Sequence, residues 1–112
     1  MESPSLVRLE RIARNLPILP GTLHMGKVET AWGTVYIALG KGPGYNYQPM
    51  AWHGVYAFDY GGQKGMGRLG EASGSLTLQE AQQEFLNDAV WFQQAMHERD
   101  MHDESFKLNG HG

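Results

Sequence analysis

His53 and His24 are the side chains in this sequence best suited to proton transfer, because imidazole titrates near neutrality. Catalysis at either would need a nucleophile, a paired carboxylate or a second base close by. The spacing supplies none. Asp59 follows His53 along one extended segment, too far on to touch it, and Ser73, Ser75 and Thr77 fall in a turn and cap context where hydroxyls serve backbone groups. A structural or surface role is the first reading for both histidines. A pocket near His53, in a small enzyme or ligand binder, is kept as a third functional alternative. His97 and His102 sit among Glu98, Asp100, Asp103 and Glu104, an arrangement that superficially suits a metal ion. Two histidines share a helical face at a spacing of three or four residues, and five residues set these apart. No metal site is expected.

Gly65-Met-Gly-Arg-Leu-Gly70 has the spacing of a dinucleotide-binding turn. In such a turn, glycines let the backbone approach a pyrophosphate at a helix N-terminus inside a parallel strand-helix-strand unit. Here the next secure helix begins near Leu78, and no later strand completes the unit. The expectation is no cofactor, and a mobile, slightly basic loop over Gly61–Gly70 holding Lys64 and Arg68.

Aromatic side chains carry the clearest pattern. Two strand candidates, Ala31–Leu39 and Ala51–Tyr60, lie among Gly-rich turns. Alternation puts Val35, Ile37 and Leu39 on one face of the first and Trp32, Thr34 and Tyr36 on the other. In the second, Trp52, Tyr56, Phe58 and Tyr60 fall together, opposite His53, Val55, Ala57 and Asp59. If the helices cover the Val35 face, Trp32 and Tyr36 are left on an open platform of the kind that stacks unpaired bases. A nucleic-acid site would then use Trp32, Tyr36, Lys41, Tyr45, Tyr47, Lys64 and Arg68. Core packing is the commoner fate of strand aromatics, and Trp52 and Phe58 are expected to be mostly buried.

Trp91 is anomalous. At about 100° per residue it falls nearly opposite the apolar stripe of the last helix, with Asn87, Gln94 and Glu98 around it. Leu86 borders the stripe, and Val90 lies beside Trp91. Glu80, Glu84 and Asp88 make an acidic strip near it, suited to a basic partner. An exposed ring there marks a contact surface for another protein or a second copy of the chain, unless a loop or the C-terminal tail covers it.

The elements that must position these residues follow from hydrophobic spacing. Ser3-Pro4 opens a first helix, in which Leu6, Leu9, Ala13 and Leu16 recur until Pro17 and Pro20 end it. A short strand is placed over Thr22–Glu29. Thr77 and Glu80 form a capping box for the last helix, whose stripe is Leu78, Ala81, Phe85, Ala89, Phe92 and Met96. That helix is expected to reach about Met101, with residues 103–112 a frayed tail. The fold class is α+β in αβββα order: an antiparallel sheet of about three strands, with both helices packed on one face of a single domain spanning 1–112. The order resembles the double-stranded-RNA-binding arrangement in outline, but the basic start of that family's last helix is missing, since Glu80 and Glu84 stand there.

The 112 residues include 15 glycines and no cysteine, so disulfide and thiolate chemistry are excluded. The net charge of −3 is modest, and the acids concentrate after Gly70, where only Arg99 and Lys107 offset them. That balance lacks the cationic footprint of a dedicated nucleic-acid binder. The N-terminus lacks a cationic segment followed by an apolar run, and no stretch is long enough to span a bilayer, so a cytoplasmic protein without a membrane partner is expected. The leading function is a non-enzymatic regulator or inhibitor that binds another protein through Trp91, Leu86, Val90, Glu80, Glu84, Asp88 and the sheet aromatics Trp32 and Tyr36. An accessory product of a phage or mobile element fits that description, although no residue marks such an origin.

Overall fold

Apolar residues on both sides of two neighbouring strands organise the molecule. In the computed structural model, which describes residues 4–45, 49–60 and 63–110, α1 spans Pro4–Ala13, and β1 (His24–Thr30) and β2 (Gly33–Gly42) follow. Next come β3 (Ala51–Tyr60), β4 (Gln63–Ser73) and α2 (Leu78–Gly110). The strands form one antiparallel meander in the order β1-β2-β3-β4. This is an α+β fold whose sheet is flanked by an N-terminal and a C-terminal helix. Ser3 and Tyr47 lie outside the described residues.

Register places Val35 opposite Phe58 and Ile37 opposite Tyr56 on one face, and Ala38 opposite Val55 on the other. The first face packs against Ala81, Phe85 and Ala89 of α2. The second packs against Leu9 and Ala13 of α1 and against Leu16 just beyond it. The helices therefore lie on opposite faces, correcting the expectation that both share one. The physical reason is that Tyr36, Ala38, Val55 and Ala57 make the second face apolar as well, and an apolar sheet face must be covered. Small Ala38 and Ala57 leave room for α1 to approach closely.

The sheet has four strands rather than about three. Of the segment expected to be a mobile loop, residues 63–70 belong to β4, paired with β3 from Ala51↔Ser73 to Tyr60↔Gln63, and Gly61 and Gly62 lie outside the described residues. Its glycines serve aromatic neighbours: a Cβ at Gly65 would overlap the Phe58 ring, and one at Gly67 would crowd Tyr56. A glycine under a cross-strand ring lets the ring lie flat on the sheet. The dinucleotide-turn spacing is thus a strand pattern, with no helix at its end.

Thr77 caps α2 as its sequence implies. Glu80 N donates to Thr77 Oγ1 at 3.1 Å, and Thr77 N donates to Glu80 Oε1 at 3.0 Å. The helix runs through Gly110, past the end expected near Met101. Among the described residues no helix is long and apolar enough to cross a membrane.

Candidate functional site

The outer face of α2 exposes Trp91. Its ring is 63% exposed, edge-on to Phe92 at 5.3 Å between centroids. Phe92 in turn stacks on Tyr56 at 5.2 Å, so Trp91 is propped against the core from outside it. Beside the ring, Gln94, Ala95 and Glu98 line a depression of about 330 Å³. Glu80, Glu84 and Asp88 are exposed, and the helical angle places them within a turn-width of the same line. Gln83 Nε2 donates to Asn87 Oδ1 at 2.9 Å, and Gln94 Nε2 to Glu98 Oε1 at 3.4 Å, which stiffens the polar side chains around the ring. Hydrogen bonds from Thr77 hold the Glu80 carboxyl below its ordinary pKa.

Leu86 and Val90 are half-buried and pack against the core beneath α2. Trp32 and Tyr36 do not share a platform. Trp32 sits in the β1–β2 turn, before the strand begins at Gly33, and packs against His97 of α2 at 5.0 Å. Tyr36 is half-buried on the α1 face. The strand begins at Gly33 rather than at Ala31, which leaves Trp32 out of the ladder. Gln93, a residue the hydrophobic pattern passes over, fixes that turn: fully buried, it accepts from Thr30 Oγ1 at 2.7 Å and donates to Gly33 O at 3.4 Å.

The basic and aromatic residues of the nucleic-acid alternative are likewise dispersed. Lys41 lies over the Trp52 ring at 5.2 Å on the α2 side, whereas Tyr45 and Arg68 border a cavity on the α1 side. Lys64 stands opposite Asp59 in the ladder, and its side chain, like Tyr47, lies outside the described residues. Trp52 and Phe58 are buried, and Trp52 Nε1 donates to Leu76 O at 3.0 Å.

His53 is 3% exposed at the floor of that α1-side cavity, about 140 Å³ lined by Leu16, Tyr45, Arg68, Gly70 and Glu71. Its Nε2 donates to the Pro43 carbonyl at 2.9 Å, since a carbonyl only accepts. Glu71 Oε1 is 3.9 Å from the same nitrogen and accepts the Tyr45 backbone N–H at 2.9 Å. His53 and Glu71 thus tie the β2–β3 connection to the sheet. His24 is exposed at the start of β1. The described residues bring together no group of three or more histidines and acids; His102 falls where side chains are not described.

No family model matches the chain, and no curated protein or solved structure is significantly similar to it.

Proposed function

We propose that this protein is a binding module whose outer α2 face docks a basic segment of another protein. The observation that carries the reading is a Trp91 ring left 63% exposed within an anionic helix face. A large aromatic ring surrounded by carboxylates is a poor choice for a wet surface and a good one for an anchor, because tryptophan supplies the most binding energy per side chain once desolvated. Glu80, Glu84, Asp88 and Glu98 select the partner's charge. Two copies meeting through this face would set like charges against each other, which disfavours self-association there and favours a cationic partner. Rim carboxylates of this kind steer encounter, so binding should weaken as salt rises.

A photo-reactive cross-linker placed at Gln94, on the face, and separately at Glu10, on α1, tests this in extract of the native host. The reading requires a discrete adduct from Gln94 only, lost on Trp91→Ala and reduced by salt, with a partner whose contact segment is basic. The same adducts from both positions, or an adduct indifferent to Trp91→Ala, would sink it. An adduct of the chain with itself would replace the basic partner by a second copy.

A further inference from the structure

On the side of the sheet away from Trp91, we infer that the His53 cavity is a binding site for a free, amino-acid-sized zwitterion, with a carboxylate at Arg68 and an ammonium at Glu71. Both residues come from β4, and both face the α1 side, where Arg68 stands opposite Val55 and Glu71 opposite His53. The register shift at Gly54/Val55 and the positive φ of Gly70 separate them along the strand. They line one cavity of about 140 Å³, yet among the described residues no ion pair joins them. Exposed Arg68 and half-buried Glu71 thus line the same concavity on either side of a bulge, and the site presents both charges. A ligand carrying both signs satisfies each without leaving a net charge in the site.

The walls favour the same ligand. Leu16 and the Tyr45 ring supply an apolar side against which a short aliphatic side chain can lie. Glu71 is pre-positioned: one oxygen already accepts the Tyr45 N–H at 2.9 Å, leaving the other for a donor. His53 is buried and committed through Nε2 to Pro43 O, so it shapes the floor and holds the β2–β3 connection. A single-charge anion would meet Arg68 but also the Glu71 carboxylate. A single-charge cation would meet the reverse. Only the zwitterion matches both.

Titration of the isotope-labelled protein, followed by amide resonances, is the test, with L-valine as probe and acetate, ethylamine and inorganic phosphate as single-charge comparisons. L-valine should produce saturable shifts at Tyr45, Gly70 and Glu71, and each single-charge probe should bind at least about tenfold more weakly, the loss of one charge-assisted contact. Arg68→Gln and Glu71→Gln should each weaken L-valine by about tenfold or more while the remaining resonances keep their places. Glu71→Gln retains an oxygen for the Tyr45 N–H, so its fold is preserved. Absence of saturable shifts with L-valine, equal binding of phosphate or acetate, or undiminished binding by Arg68→Gln would each overturn the assignment. Neither variant touches the outer α2 face, so the result is independent of the partner-docking reading.

Discussion

The ring of Phe58 occupies the space where a side chain on its cross-strand neighbour Gly65 would stand. The two residues pair across β3 and β4, and the fully buried ring lies over glycine instead of projecting away from the sheet. This one contact explains why a Gly-rich segment is a strand: the missing side chains are replaced by rings from the next strand. Gly65→Val should destabilise the protein by about 1–3 kcal/mol through overpacking. Met66→Val, at an exposed neighbour, should fall within about 0.5 kcal/mol of the parent. Chemical denaturation of the two variants measures both, and equal stability would contradict the contact.

Phe85 joins α2 to the sheet at 1% exposure, packed over Gly54. Phe85→Ala should cost about 3 kcal/mol or more, from lost apolar burial and the cavity left behind. The midpoint of thermal unfolding should fall accordingly. An unchanged midpoint would mean that α2 is not anchored through this ring.

Gln93 ties the β1–β2 turn to α2 through Thr30 Oγ1 and Gly33 O. Removing this buried side chain breaks both bonds, at a cost of about 1–3 kcal/mol. Gln93→Ala should therefore unfold at lower denaturant and also loosen Trp32, whose backbone N–H donates to Thr30 Oγ1 at 3.1 Å. Amide exchange at Trp32 that matches the parent would contradict this link.

The capping box gives the protein an acid-sensitive helix start. The Glu80 carboxyl titrates below its ordinary value of 4.5 because the Thr77 backbone N–H and side chain favour its charged form. A folded-state pKa below the unfolded one adds stability above the unfolded value and loses it as pH falls through the folded one. The stability gap between parent and Glu80→Ala should thus be present at neutral pH and shrink on acidification below 4.5. A gap independent of pH would assign the effect to packing.

The sequence makes α2 legible because Thr77, Glu80 and the Ala81–Phe85–Ala89 spacing are local signals, and the helical angle alone places Trp91 outside the core. β2 and β3 are legible from alternating large side chains. β4 is not, because glycine erases the alternation by which a strand is read, and the compensating rings sit on another strand. The cover of both sheet faces is hidden for a related reason: Ala38 and Ala57 give a weak hydrophobic signal, yet they line the surface on which Leu9 and Ala13 rest. Trp32 is left out of the sheet because β2 begins only at Gly33, after the turn, and its ring packs on α2 instead. The His53 cavity depends on Glu71 lying opposite His53, a pairing that only the strand register creates.

The central claim is that Trp91 serves contact rather than folding, and the binding affinity of Trp91→Ala for the partner captured at Gln94 tests it most directly. With the ring 63% exposed, the substitution should cost under about 1 kcal/mol of stability. It should weaken partner binding by about 2 kcal/mol, roughly thirtyfold, as loss of an aromatic anchor does. A variant that folds like the parent and binds its partner with undiminished affinity would contradict the account.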